Sequence, residues 1–231
     1  ALAPQRGERL LRSAGVLYVL LLVALPLSAL LWFGVSDGME SLGKLLRSNV
    51  ARSALWLTFW TSALVAVLNV IFGTITAWVL VRYKVPGRSF ISALLDLPLA
   101  IPTLVAGVML ALLYGPTSLI GKKLGELGAP IIFAQPGIIL ALLFVTVPFV
   151  VRAVEPVLCE IDVGEEEAAK TLGASPLQTF RTVFLPAIAP AAISAGIRSL
   201  GRALGEFGSV VVVAGNIPLQ TLTAPVFILG E

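Results

Sequence analysis

Five stretches of this chain carry no Asp, Glu, Lys or Arg: residues 13–36, 53–81, 97–120, 127–151 and 207–230, which are 24, 29, 24, 25 and 24 residues long. One charge at the bilayer centre costs roughly 3 kcal/mol on insertion scales, so charge-free runs mark where a chain is able to cross lipid. Each run exceeds the ~20 residues that a helix needs to span about 30 Å of hydrocarbon. The composition agrees, with 58% hydrophobic and 13% charged residues and a mean hydropathy of +0.98, where a soluble domain is roughly 25% charged. A water-soluble fold of this size has too little interior to hide that much apolar surface. The expected fold class is all-α, a polytopic membrane protein.

Gly215-Asn216-Ile217-Pro218 is a turn-like cluster that divides the last run. Its first half joins the apolar run from Phe184, so a fifth helix is expected over about residues 185–214 and a sixth from near Ala224. The sixth stops at Glu231 and the first residue is Ala, so the sequence reads as part of a longer chain with six transmembrane helices, the last truncated. The domain division is a cytoplasmic N-terminal tail, residues 1–12, and one transmembrane domain, residues 13–231.

Lys and Arg set the orientation. With the N-terminus inside, the cytoplasmic set is Arg6, Arg9, Arg12, Arg82, Lys84, Arg88, Arg152, Lys170 and Arg181, against Lys44, Arg47, Arg52, Lys122 and Lys123 on the other side. That bias favours an inward N-terminus, and it explains the net charge of +3 better than a nucleic-acid surface does. The N-terminal arginines resemble the start of a signal peptide, but the 24-residue run that follows is too long for an h-region and no A-x-A site ends it, so an uncleaved first span is expected. The chain has no His, which removes imidazole metal sites, Ser-His-Asp triads and His relays together. The single Cys159 allows no internal disulfide and no Cys-x-x-Cys site, and neither a metal nor a cofactor is signalled.

The most polar stretch, residues 152–181, lies between the fourth and fifth runs on the inner side of this topology. Asp162 is placed to cap a short helix with Glu165 at capping-box spacing, the acidic Glu165, Glu166 and Glu167 facing the positive end of its dipole. Gly173 supplies the stop. Ser175-Pro176-Leu177-Gln178 then starts a second helix with Ser as N-cap, Pro as first helical residue and Gln as third-position partner. Helix, Gly break and helix make an elbow. Interfacial helices are usually basic on their polar face, whereas this one is acidic and is repelled by an anionic leaflet, so it fits a protein partner better than a lipid surface.

Glu167-Ala168-Ala169, three residues, Gly173, nine residues, Val183, one residue and Leu185-Pro186 resemble the EAA motif of the membrane subunits of binding-protein-dependent ABC importers, with Val183 where that family favours Ile. In that family the loop is the coupling helix that docks on the ATPase, which implies an ATPase-coupling role for Glu165, Glu166, Glu167, Ala168, Ala169, Gly173, Leu185 and Pro186. Small side chains at Ala168 and Ala169 suit close helix docking. Asp96-Leu97-Pro98-Leu99-Ala100-Ile101-Pro102, Pro148-Phe149-Val150-Val151-Arg152, Gly205-Glu206-Phe207-Gly208 and Gly215-Asn216-Ile217-Pro218 further resemble the sulfate/thiosulfate permeases, most of all their T-type subunits, over about residues 13–231. Molybdate permeases share the Gly-Glu-Phe-Gly and Gly-Asn-Ile-Pro elements, so the alternative is a permease subunit for molybdate, tungstate or another oxyanion. The resemblance implies as partners a sister permease subunit in a heterodimer, ABC ATPase subunits and an extracytoplasmic sulfate-binding protein, in the bacterial inner membrane.

Arg198, Arg202 and Glu206 recur every four residues and are expected on one face of the fifth helix. Ionisable groups within spans mark a pathway or a paired network. These three either brace the helix and gate it or touch the anion. Asp96 stands before Pro98 and Pro102 at the start of the third run, where the prolines either kink an ordinary helix or break it to line a cavity. With Asn216, these are the candidate residues of a translocation path or gate. Gly201 and Gly205 form a G-x-x-x-G pair that signals close helix contact. Gly121-Lys122-Lys123 lacks the earlier Gly and the Ser or Thr of a phosphate loop, so ATP hydrolysis is expected on another polypeptide and the chain is expected not to be an enzyme. A membrane-embedded enzyme finds no second catalytic partner for Asp96 or Glu206. An ion-coupled transporter finds no internal repeat.

Overall fold

Prolines and one buried carboxylate mark where the apolar runs of this chain change course. A computed structural model describes residues 6–36, 43 and 47–230, giving the backbone alone at residues 6, 8–10 and 35, and every regular element among the described residues is helical. Residues 1–5 of the expected tail, Lys44 of the charge tally and Glu231 lie outside the described residues, as do the side chains of Arg6 and Arg9. The chain divides into two units, Ala1–Asn49 and Val50–Glu231.

In the first unit α1 (Arg6–Val19) runs through one wide, π-helical turn (Leu20–Ala24) into α2 (Leu25–Ser36). Pro26 follows that turn by two residues. A proline donates no N–H and its ring crowds the carbonyl four residues back, here that of Leu22, which the wide turn moves aside. The second unit repeats the device, where α9 (Pro176–Thr179) passes through a wide turn (Phe180–Phe184) into α10 (Leu185–Leu204), with Pro186 two residues beyond it.

The second unit is built on α3 (Asn49–Arg82), α7 (Gln135–Glu160) and α10. Val150, Val151 and Val154 of α7 pack with Ala77 and Leu80 of α3 and with Ile188, Ala192 and Ala195 of α10. Association in lipid relies on close packing and interhelical hydrogen bonds, so small residues and buried polar groups hold such helices. Gly73 lies against Val150, and Gly196 against Val70, closely enough that a Cβ at either would collide with the neighbour. Asn69 Nδ2 of α3 donates to Thr146 Oγ1 of α7 at 2.6 Å and to Ser199 Oγ of α10 at 3.0 Å, tying the three helices at one level. The close contacts expected at Gly201 and Gly205 are not the ones this unit uses, since among the described residues no other element comes within 4 Å of the place a Cβ would take at either.

Two expected spans are not continuous. The run over 97–120 divides into α4 (Arg88–Ala100) and α5 (Thr103–Tyr114), bent by 116°. The residue before a proline is pushed out of the helical region, and Ile101, before Pro102, sits at φ −94°, ψ 134°. The helix expected over 185–214 ends at Leu204, and α11 (Gly208–Val213) starts anew after Gly205-Glu206-Phe207. Its cause is Glu206, whose Oε1 accepts from Ser209 N–H at 2.8 Å and from Ser209 Oγ at 2.9 Å, capping α11 as an N-cap side chain does. Helix α5 then lies against α11, with Gly107 facing the Ser209 backbone and Gly208 facing Thr103 and Leu104. The connection between α5 and α7 carries α6 (Leu119–Glu126), and α12 (Ala224–Gly230) begins at Ala224.

Among the described residues, four helical stretches are long and apolar enough to cross a membrane, Leu11–Gly34, Asn49–Arg82, Gln135–Glu160 and Pro176–Leu204, and the bent pair α4 and α5 counts as a fifth if it is one span.

Candidate functional site

The elbow is formed by α8 (Val163–Thr171) and α9. Asp162 caps α8, its Oδ1 accepting from Gly164 N–H at 2.9 Å, two residues on rather than three. Gly173 stops it at φ +81°, a left-handed conformation that glycine takes without a Cβ penalty, with Gly173 N–H donating to Lys170 O and Ala174 N–H to Ala169 O, each at 3.0 Å. Ser175 and Gln178 close a full capping box on α9.

Face by face, α8 divides its residues sharply. Glu165, Glu167 and Ala168 are exposed, as are Gly173 and the neighbouring Leu172, which is 88% exposed, while Glu166 and Ala169 are half-buried toward the protein. Glu166 accepts from Lys170 at 2.8 Å and from Arg82, the last residue of α3, at 3.2 Å. The Lys170 hydrogen bond, against a partial opposing effect of burial and with help from the Lys170 and Arg82 charges, holds the Glu166 carboxyl below its usual range. Trp78 of α3 meets Phe184 and Phe180 edge-on at 4.7 and 5.4 Å between ring centroids, and the Arg82 guanidinium lies 4.5 Å from the Phe184 ring centre. Elbow and α3 are thus held by an ion pair and an aromatic cluster around a cavity of about 180 Å³. Leu185 and Pro186, at the start of α10, are exposed.

A second constellation lies higher on α4, α7 and α10. Arg152 of α7 grips Asp96 of α4 with two parallel bonds, Nε to Oδ1 and Nη2 to Oδ2, both 2.6 Å. Its Nη2 also donates to Ser92 Oγ at 2.7 Å and Nη1 to Glu155 Oε2 at 2.6 Å, and Glu155 in turn pairs with Arg88 at 3.2 Å. Arg198 of α10 shares with Arg152 a cavity of about 310 Å³ walled by Leu99, Pro148, Phe149 and Ala153.

Of the expected path residues, Arg202 pairs with Glu206 at 2.6 Å although Glu206 stands beyond the helix end, and Glu206 is 2% exposed. Asn216 stands apart from the arginines. Gly215 and Asn216 both take positive φ (72° and 54°) in a turn against Phe133, Asn216 Nδ2 donates to Val211 O at 3.0 Å, and Phe133 N–H donates to Val213 O. This turn is at the N-terminal end of α7, whereas Arg152 is 17 residues further on from Gln135, about 25 Å along a helix. Sequence reasoning missed the pairings of Arg82 and Arg152: both served as orientation charges and Arg152 also closed a resemblance motif, but neither was named as a site residue. The signal was available in Asp96, because a carboxylate near a span needs a cation and Arg152 ends the run that faces it.

The chain matches the family described as "Binding-protein-dependent transport system inner membrane component" over residues 69–228. Two solved structures share the fold. One is a bacterial ABC transporter involved in the import of the acidic polysaccharide alginate (TM-score 0.76, 18% identity, 96% of this chain and 84% of that one). The other is the bacterial alginate ABC transporter in complex with an alginate pentasaccharide-bound periplasmic protein (TM-score 0.74, 18% identity, 94% and 78%). With apolar helices of spanning length, a charged elbow and this match, the chain belongs to the inner-membrane components of binding-protein-dependent transport systems, the permease subunits of ABC importers.

Within that family it is similar to the probable sulfate transport system permease protein cysT of Nephroselmis olivacea, with 44% identity over 213 residues, 92% of this chain and 75% of the relative. The sulfate transport system permease proteins CysT of Synechococcus elongatus and Salmonella typhimurium are 43% and 40% identical over 91% and 93% of this chain, and 76% and 78% of their own length.

Proposed function

We propose that this chain is the membrane-spanning permease subunit of an importer of sulfate and thiosulfate, driven by ATP hydrolysed on separate subunits. The observation that carries the reading is the 40 to 44% identity, over more than nine-tenths of the chain, to proteins named as sulfate transport permeases. It also disfavours molybdate or tungstate as cargo. In this reading the chain works in the bacterial inner membrane beside a sister permease, with two copies of an ABC ATPase inside and a sulfate-binding protein outside. Residues 1–12 form the cytoplasmic tail, and residues 13–231 contribute to a six-helix domain whose N-terminus faces inward.

Helix α8 is the coupling helix. Its outward face offers the ATPase Glu165, Glu167, Ala168 and an exposed Leu172, an apolar group amid charge that a protein cleft covers better than water does. Its inward face, Glu166 and Ala169, transmits movement to α3 through Arg82 and to α10 through the aromatic cluster, Leu185 and Pro186. Closure of the ATPase pair pushes on the elbow, and the rigid link converts that push into alternating access of the cavity between the two permeases. Asp96, Arg198, Arg202, Glu206 and Asn216 belong to the path or its gate, Glu206 and Asn216 by holding helix breaks open and the arginines by their charge.

The test is uptake of radiolabelled sulfate by cells whose only sulfate permease pair contains this chain. Glu167→Lys, on the exposed face of α8, is expected to abolish uptake with the chain still inserted in the membrane. Uptake at the unmodified rate would refute the coupling role, and a cell that accumulates molybdate but never sulfate would refute the cargo.

A further inference from the structure

On that reading, we propose that Arg152 and Arg198 form a subsite for a tetrahedral oxyanion inside the membrane domain, and that Asp96 occupies Arg152 while the anion is absent. Arg198 is the carrying observation. It stands 13 residues into α10, roughly 20 Å along the helix from Leu185, its side chain is exposed, and among the described residues it has no ion-pair or hydrogen-bond partner. A guanidinium at such depth faces a bundle interior or a water-filled cavity, because hydrocarbon does not tolerate it unpaired. The cavity it enters has about 310 Å³, room for roughly ten waters at ~30 Å³ each.

Arg152 supplies the second cation from the facing helix. Its two parallel bonds to Asp96 are the same fork that a guanidinium offers to two oxygens of a sulfate or phosphate. Asp96 is 46% exposed whereas Glu155 is 17% exposed, so the carboxylate at the wet edge is the one able to give way. The cluster holds three guanidiniums, Arg88, Arg152 and Arg198, against two carboxylates, Asp96 and Glu155. When Asp96 swings out, two positive charges remain facing the cavity, which matches a dianion. Leu99, Pro148 and Phe149 exclude water from one side and strengthen the attraction. Competition from Asp96 keeps that attraction from becoming retention, since a transit site has to release what it binds. A purely structural brace accounts for Arg152 and leaves Arg198 without a reason.

The experiment uses the whole importer, with both permeases, ATPase and binding protein, in proteoliposomes, and it reads radiolabelled sulfate uptake, with co-purification of the ATPase as the check on assembly. Arg198→Gln is expected to lower uptake about tenfold, and Arg198→Lys to restore most of it, as loss and return of a charge-assisted contact require. Equal uptake by Arg198→Gln and Arg198→Lys overturns the subsite. Should Arg198→Gln fail to assemble, Asp96→Asn decides. It frees Arg152 and is expected to raise equilibrium binding of labelled sulfate to the complex purified without its binding protein, and unchanged binding overturns the proposal. If the unmodified importer carries molybdate and refuses sulfate, the cargo assignment fails while the subsite is scored in the same way with molybdate. If it carries no oxyanion, both fall.

Discussion

At the scale of single residues, polar groups and glycines do what hydrophobic burial does in a soluble core. Asn69 joins three helices through two hydrogen bonds, and interhelical bonds in membranes average about 0.6 kcal/mol with a maximum near 1.7. Asn69→Leu is therefore expected to destabilise the solubilised protein by about 1 to 2 kcal/mol. Adding Thr146→Val should cost less than the sum of the two single changes, as thermal unfolding in detergent will report. Glu206 carries two duties at once. Glu206→Gln keeps an oxygen for Ser209 and loses only the charge opposite Arg202, whereas Glu206→Leu orphans a buried N–H as well, so the second should cost about 1 to 3 kcal/mol and clearly more than the first. The sequence showed that Arg202 and Glu206 are four apart but could not show that Glu206 ends one helix and starts another. A carboxylate's choice between pairing and capping depends on which N–H groups the fold leaves free. Asn69 gave no signal, because a lone polar residue within an apolar run does not announce which face its partners occupy.

At the scale of elements, helix ends marked by local chemistry were legible and breaks set by tertiary contact were not. Asp162, Gly173 and the Ser175–Gln178 box stand where their residue types place them, since caps and stops need only neighbours in sequence. The bend at Ile101-Pro102 was half-visible. Proline pointed to a disruption, while the 116° angle comes from the packing of α5 on α11. Gly107 is the tight point of that packing, where a Cβ would sit 2.7 Å from Ser209 O and 2.8 Å from its Cα. Backbone on the other side has little room to yield, so Gly107→Val is expected to lower the melting temperature by several degrees, at a cost of about 1 to 3 kcal/mol. The elbow has a pH dependence of known sign. Because Glu166 titrates below its usual value near 4.5 in the folded chain, its tether to Lys170 and Arg82 contributes fully above that value and is lost as pH falls through the lowered one. Protease cleavage between α8 and α9 should accordingly stay slow at neutral pH and accelerate only in that acid range, and Glu166→Gln should abolish the dependence.

At the scale of the whole molecule, the elbow is joined to α3 by Arg82 and Trp78 and continues directly into α10, so a force applied to α8 reaches two of the three central helices. Arg82→Leu leaves Glu166 to Lys170 alone and strips one leg of that link. In the assembled importer it is expected to lower sulfate uptake several-fold while the ATPase subunits continue to turn over, and the ratio of ATP hydrolysed to sulfate imported measures the change. The wide turn at Phe180–Phe184 adds a final consequence. Such a turn holds one residue more than an ordinary helix needs over the same rise. Removing Thr182 together with Pro186→Ala, which lifts the crowding that the wide turn relieves, should therefore let the backbone tighten while Ser199 still meets Asn69, whereas removing Ala192 would rotate everything on one side of the deletion by about 100° and pull them apart. The base of this helix thus carries an extra link that the proline holds in place, and with the proline gone it is where the chain should best survive being shortened.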